Sequence, residues 1–420
     1  MGALLFIVFL VCLVIGVPIA FSVAIAGISV LIKGDVDLLI IIQRMFASTD
    51  SFALVAVPFF ILAGDLLARG QISKKLVTFA ESIVGMIRGG LSIVSVVAAM
   101  FFAAISGSGA ATTAAVGATM VPELRKRGYD ESASIALIAS AGCIGVVIPP
   151  SVPMVLYAVI ASQSVTKLFT NGFLPGFFMG IMLIGIALFQ AFKYNYPKGS
   201  KFVLKNVWLT FKQSIWGLLM PLIILGGIFS GYFTPSEAAA VAVVYSIIVS
   251  TIIYKDLTFK EFTEILLGSA KTSAIIMIII ACSGIFGWVL ANWKIPEQIA
   301  TSMLALSSNK YILMFLIAGI ILVAGIFMET SSAVILLTPV FLPLVKTLGI
   351  DLVHFGVIFV IGISIGMITP PVAINLFVGS SITGLPIEKI AKSVIPYLIG
   401  LIIIFIAYVY LPLFFPFLII

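Results

Sequence analysis

The chain has 420 residues, of which 62% are hydrophobic and only 9% charged, and its mean hydropathy is +1.30. A soluble domain carries roughly 25% charged residues, so this composition excludes a soluble enzyme or nucleic-acid-binding domain and reads as an all-α polytopic membrane protein. In such a chain the net charge of +7 first reports topology rather than an acidic partner.

The N-terminus Met1-Gly2-Ala3-Leu4-Leu5 lacks a basic flank and a small-x-small cleavage site, and is read as a retained helix. The first apolar run, residues 3–32, contains Gly16-Val17-Pro18. It exceeds the roughly 20 residues a crossing needs, so one tilted or kinked span is expected. Residues 37–48, with Arg44, are placed at the interface, and 52–67 form the second crossing. Residues 72–86 mix apolar positions with Lys74, Lys75 and Glu81, as an amphipathic helix lying on the membrane does.

Residues 91–124 are continuous in hydropathy but contain Ser106-Gly107-Ser108-Gly109-Ala110-Ala111-Thr112-Thr113. Small, polar, glycine-bearing residues suit a turn with exposed backbone. Arg88 precedes the run and Arg125, Lys126 and Arg127 follow it. With both flanks cytoplasmic, the run enters and leaves on one side as a re-entrant helical hairpin; the alternative is a single crossing packed through small residues.

Residues 132–161 are interrupted at Pro149-Pro150, where proline must break a helix. A crossing at 168–192 runs into Lys193, Lys198, Lys201, Lys205 and Lys212 and is expected to end in the cytoplasm. Trp208, Phe211 and Trp216 among those lysines read as an interfacial belt beside anionic lipid, with no nucleic-acid partner. Crossings follow at 218–232, 238–253 and 272–291, and an amphipathic segment at 295–306. Residues 311–344 repeat the hairpin pattern around Glu329-Thr330-Ser331, 353–382 are broken at Pro370-Pro371, and 394–416 form the last span.

An internal repeat connects these features. One constant step along the chain pairs Pro122 with Pro343, Gly145 with Gly366, Pro149 with Pro370, Pro150 with Pro371 and Pro175 with Pro396. A slightly longer step pairs Leu67 with Leu290 and Ile72 with Ile295. We divide the chain into a first repeat, 1–212, a linking transmembrane helix, 213–233, and a second repeat, 234–420. Four crossings in the first repeat plus the linking helix place the second upside down, giving inverted repeats with two hairpin tips meeting two broken helices near the midplane.

Broken helices in lipid persist only where the freed backbone faces protein, ions or a polar cavity. Half-helix C-ends offer carbonyl oxygens to a hard cation such as Na⁺, and N-ends offer N–H groups to a carboxylate. Site one for Na⁺ is expected at Ser106, Gly107, Ser108, Gly145, Val147 and Pro149, and site two at Glu329, Thr330, Ser331, Gly366, Ile368 and Thr369. The substrate is expected near Thr112, Ser151, Thr369 and Asn375. No transition-metal pattern is present: Cys12, Cys143 and Cys282 are scattered through apolar runs and read as packing residues. Glu329 is a functional candidate as a carboxylate inside an apolar run, either a cation ligand or an anchor for tip N–H groups. Asp65 and Glu237 lie nearer segment ends and read as solvated or capping.

Val57-Pro58-Phe59-Phe60, Ser106-Gly107-Ser108-Gly109-Ala110, Ile148-Pro149-Pro150-Ser151 and Thr369-Pro370-Pro371 together resemble the large membrane (M, DctM-type) subunit of a TRAP transporter, a tripartite ATP-independent periplasmic system. The resemblance covers nearly the whole chain. It implies Na⁺-coupled uptake of a small organic acid, such as a C4-dicarboxylate or sialic acid, across the bacterial inner membrane by an elevator motion. It also implies a small four-helix membrane subunit (Q-type), expected as a separate chain, and a periplasmic substrate-binding protein (P-type).

A stand-alone ion-coupled anion symporter without a binding protein is the alternative within the same architecture. An ion channel would need a continuous pore. An intramembrane protease using Ser106 or Ser108 would need His354, the single histidine, which sits near a membrane boundary.

Overall fold

In a computed structural model of the chain, residues 1–69, 71–198, 202–307 and 309–414 are described. Lys201 and the last two positions of the span expected at 394–416 lie outside the described residues. Among those described the chain is helical, with α1 (Gly2–Val14), α2 (Ile19–Lys33), α3 (Leu39–Thr49), α4 (Ala56–Arg69) and α5 (Gln71–Val84) leading to the first hairpin. That hairpin is α6 (Gly90–Ser106) and α7 (Gly109–Lys126). The first broken helix is α8 (Glu131–Gly142), a 3-10 turn (Cys143–Val146) and α9 (Val152–Ala161). Next come α10 (Val165–Lys193), α11 (Leu204–Phe229), α12 (Pro235–Ile248), α13 (Phe259–Asn292) and α14 (Ile295–Leu306). The second hairpin is α15 (Lys310–Phe327) and α16 (Thr330–Thr347), the second broken helix is α17 (Leu352–Gly366) and α18 (Ile374–Thr383), and α19 (Ile387–Phe414) is last.

Seven of the described helices are long and apolar enough to cross a membrane, or eight if α3 and α4, bent by 64°, count as one span. The segment at 37–48 is the helix α3, at a sharp angle to α4 as an interfacial element would be.

One expectation needs correcting. Residues 3–32 do not form a single span: α1 and α2 fold back on each other around Gly16-Val17-Pro18. Gly16 takes a left-handed φ of 85°, and Pro18, which has no N–H to give the preceding turn, caps α2.

The packing resolves into two bundles. Helices α1–α4 pack with α11–α13, and α6–α10 pack with α15–α19. The amphipathic helices α5 and α14 run between them, α5 on α11 and α6, α14 on α16 and α13. In the second bundle α17 is apolar all round and buried from Val353 to Gly366, as a central helix must be.

Element boundaries recur. The step that pairs Pro122 with Pro343 also carries Gly109 and Lys126, which bound α7, onto Thr330 and Thr347, which bound α16. The helices α5 and α14 occupy corresponding places, and Ile72 of α5 packs on Gly217 of α11 as Ile295 of α14 packs on Gly2 of α1. The pair α5 and α11 thus shares an isoleucine-on-glycine contact with the pair α14 and α1.

Candidate functional site

The first tip is a tight turn at Gly107, in the left-handed conformation at φ 60°. A side chain there would come within 2.8 Å of the Pro150 carbonyl, so the tip is seated on the first break. Three oxygens gather behind it. The Ser106 and Thr112 hydroxyls are 2.9 Å apart, and the Thr112 hydroxyl donates to the Ser108 carbonyl at 2.8 Å. Gly145 completes the contact, since a Cβ there would lie 2.6 Å from Thr112 Oγ1 and 2.7 Å from the Ser108 carbonyl. Site one is thus brought together at Ser106, Gly107, Ser108 and Gly145, with Pro149 buried beside it. Val147 departs from it: its carbonyl faces Gly172 of α10, where a Cβ would approach to 2.8 Å.

The second tip is built differently. Glu329 is the N-cap of α16 and accepts from the Ser331 and Ser332 N–H groups at 2.8 and 3.2 Å and from the Ser331 hydroxyl at 3.2 Å. Its carboxylate thus anchors the tip N–H groups. The Thr330 hydroxyl is 3.2 Å from the Met367 sulfur. Gly366 meets Gly325 of α15 backbone to backbone, one turn short of the tip. Thr369 returns its hydroxyl to the Ile365 carbonyl at 2.9 Å, and Ile368 donates its N–H to the same carbonyl at 3.1 Å.

Both tips open on one cavity of about 350 Å³, lined among others by Ser106, Ser108, Ala111, Glu329, Ser332 and Met367. Four helix N-termini reach it: α7 through Ser108–Ala111, α9 through Val152 and Pro153, α16 through Ser331 and Ser332, and α18 through Ile374. No Lys or Arg lines it among the described residues, whereas the carboxylates of Asp65 and Glu329 do, so the groups it can offer an anion are the backbone N–H groups at the helix N-termini. A wider space of about 770 Å³ adjoins it, sharing Asp65, Ala111 and Thr272.

The four residues expected at the substrate do not line this cavity. Thr112 is buried behind the first tip. Ser151 caps α9, accepting from the Met154 N–H at 3.4 Å and donating to the Val146 carbonyl at 2.5 Å. Thr369 is turned into its own helix, and Asn375 donates to the Ala139 carbonyl at 3.1 Å, tying the second break to α8. A hydroxyl or amide beside a proline break is the first group available to the freed backbone, and here the backbone takes it.

Two lining residues were missed. Met367 lies between the tips, its sulfur 3.2 Å from Thr330 Oγ1 and also 3.2 Å from the position of a Cβ on Gly109. Its place inside the second break was the available signal. Asp65, half-buried near the end of α4, also faces the cavity and accepts from the Ser269 hydroxyl at 2.6 Å. Glu237 does cap, closing a capping box with Thr234, whose N–H and hydroxyl both donate to its carboxylate. His354 packs on Tyr408 at 5.0 Å and does not line the cavity. Cys12, Cys143 and Cys282 are free and buried, and among the described residues no three His, Cys, Asp or Glu groups gather to hold a metal.

The sequence profile of the DctM component of the tripartite ATP-independent periplasmic transporters matches residues 6–414. The chain is 38% identical to the 2,3-diketo-L-gulonate TRAP transporter large permease protein YiaN of Escherichia coli, covering 96% of each. It is 39% identical to the C4-dicarboxylate TRAP transporter large permease protein DctM of Pseudomonas aeruginosa, over 88% of this chain and 86% of that one. It is 37% identical to the isethionate TRAP transporter permease protein DctMQ of Oleidesulfovibrio alaskensis, of which it spans 64%. The solved structure of the YdaH transporter of Alcanivorax borkumensis shares the fold, with a TM-score of 0.65 at 13% identity over 90% of this chain and 88% of that one. The chain therefore belongs to the DctM family: it is a TRAP transporter large permease component, a multi-pass protein of the bacterial inner membrane and not an enzyme.

Proposed function

We propose that this chain carries a small organic acid inward together with Na⁺, the substrate being a carboxylate of the C4-dicarboxylate or sialic acid kind. A periplasmic binding protein (P-type) delivers it and a small four-helix membrane subunit (Q-type) completes the carrier. The observation that carries this reading is the single cavity shared by the two hairpin tips, lined by helix N-termini and hydroxyls. Site one offers oxygens from Ser106, Ser108 and Thr112 within hydrogen-bond distance of one another, a neutral donor set that suits Na⁺ as cargo. Site two draws on Glu329, Thr330 and Ser331 with the break at Gly366, Ile368 and Thr369. At the second tip Glu329 already occupies the Ser331 and Ser332 N–H groups, so the substrate carboxylate is placed at the first, on α7.

The reading includes inverted repeats. With α1 and α2 as separate helices, the first repeat is taken as α1–α10 and the second as α11–α19. Each has five crossings if both hairpins are re-entrant, and an odd number inverts the second relative to the first. Basic residues agree: Arg88, Arg125, Lys126, Arg127 and Lys193 flank the first hairpin and α10, leaving Lys310 and Lys346 at the second. The two packed bundles joined by α5 and α14 suit an elevator, one bundle carrying the cavity past the other.

The test is uptake by the reconstituted chain with its partners. A Na⁺ gradient is expected to drive accumulation without ATP; equal accumulation in Na⁺-free buffer removes the coupling.

A further inference from the structure

The first tip meets α4 of the other bundle closely at Gly64. A Cβ on Gly64 of α4 would lie 2.9 Å from the Ser106 carbonyl oxygen and 3.0 Å from its Cα, a distance that side-chain motion cannot relieve because the neighbour is backbone. The longer of the two repeat steps, which joins Ile72 to Ile295, also joins Gly64 to Gly287 on α13. Gly287 has no atom within 4 Å of the same position. It lies one turn beyond Gly284, on the helix face that borders a smaller space of about 390 Å³ between α13, α9 and α16. Ile335 and Pro339 line that space from α16, and the shorter repeat step pairs them with Ala114 and Ala118, which line the 770 Å³ space from α7. The two spaces are therefore counterparts, one wide and one narrow, and the two glycines are counterparts, one filled and one open.

We infer that Gly64 and Gly287 are paired docking positions used in alternation. In the state described here α4 receives the first tip at Gly64; in the opposite state α13 receives the second tip at Gly287, through the backbone of Phe327. Phe327 is the repeat counterpart of Ser106, ending α15 as Ser106 ends α6, and it is 60% exposed. The inference rests on the inverted-repeat and elevator reading and adds to it a named contact and a distance. The second tip now shares its cavity with Thr272, Ile275, Ile276 and Ile279 of α13. Gly287 is eight residues beyond Ile279, so the tip must travel at least ~12 Å along α13 at about 1.5 Å per residue. Gly287 is a positioning residue: it touches neither ion nor substrate and acts by letting two backbones meet.

The experiment uses the full chain with its partners in proteoliposomes, with Cys12, Cys143 and Cys282 replaced by alanine. A cysteine at Gly64 itself would clash with the Ser106 backbone, so the reporters stand beside the contact. The pair Asp65→Cys with Ala111→Cys, which face one cavity, is expected to be joined at rest by a short bifunctional thiol reagent. Its repeat counterpart, Trp288→Cys with Ser332→Cys, is expected to be joined only during turnover and then to arrest uptake. In a separate variant, Gly287→Val is expected to lower uptake at least ten-fold while the Asp65–Ala111 link still forms, which shows that the resting fold is intact. A cavity cysteine, Ala111→Cys, reports the underlying motion by its labelling from either side of the membrane. Labelling from both sides, with no Trp288–Ser332 link and normal uptake by Gly287→Val, overturns this inference alone. Labelling from one side only during turnover overturns the elevator reading with it.

Discussion

The two hairpin tips hold equivalent places in the chain and solve the same problem with different chemistry. Each must satisfy the free N–H groups that begin a helix inside a membrane. The first uses a neutral cap: the Ser108 hydroxyl accepts from the Ala111 N–H at 3.4 Å, and Ser106 and Thr112 fold their hydroxyls inward. The second uses the Glu329 carboxylate, which takes two N–H groups at once. A neutral tip leaves its dipole available to an incoming anion, whereas a charged cap cancels its own. The two tips thus differ in charge at equivalent helix starts, one capped by a neutral hydroxyl and one by a carboxylate.

The largest effect expected from breaking this comparison is at the contact the first tip alone makes. Gly64→Val places a side chain against the Ser106 backbone and is expected to reduce uptake at least ten-fold. Gly226→Val, at a position with no atom within 4 Å, is expected to keep at least half of it; equal loss in both would show that Gly64 has no special contact.

The caps come next. Glu329→Ala removes charged hydrogen bonds and is expected to cost ~1.5–3 kcal/mol of stability, against about 1 kcal/mol for Ser108→Ala. Chemical denaturation in detergent measures both, and the reverse order would contradict the assigned caps.

The proposed Na⁺ sites sharpen the contrast further. Ser106→Ala is expected to raise the Na⁺ concentration for half-maximal uptake several-fold. Thr330→Ala should raise it less, because that hydroxyl is directed at the Met367 sulfur. A larger effect at Thr330 would move the tighter Na⁺ site to the second tip.

The smallest effect expected is at Ser151. As a buried cap it should cost about 1 kcal/mol of stability when changed to alanine and leave the substrate concentration for half-maximal uptake within two-fold. A ten-fold rise would restore it to the substrate site.

Several of these features were legible in the order of residues alone. Pro149-Pro150 and Pro370-Pro371 interrupt apolar runs because proline lacks an N–H and clashes with the preceding turn, and both breaks lie where expected. The tips at Gly107 and at Met328–Glu329 were marked by small and polar residues that no lipid-facing helix would carry. What misled was proximity in the chain: Ser151, Thr369 and Asn375 sit beside the breaks, but helix geometry turns their polar atoms to local carbonyls or to α8.

By itself the sequence determined what hydropathy and backbone chemistry dictate: a helical membrane protein, the positions of its breaks, and a repeat that recurs at a constant step. These are local properties, set by which groups a residue can bond within a turn or two. Only the tertiary structure decided what faces what. That α1 folds back on α2, that Asp65 and Met367 border the cavity while Thr112 lies behind it, and that Gly64 is filled while Gly287 is open depend on the packing of helices far apart in sequence. Hydropathy does not encode such contacts, because a membrane helix is apolar toward lipid and toward its neighbours alike.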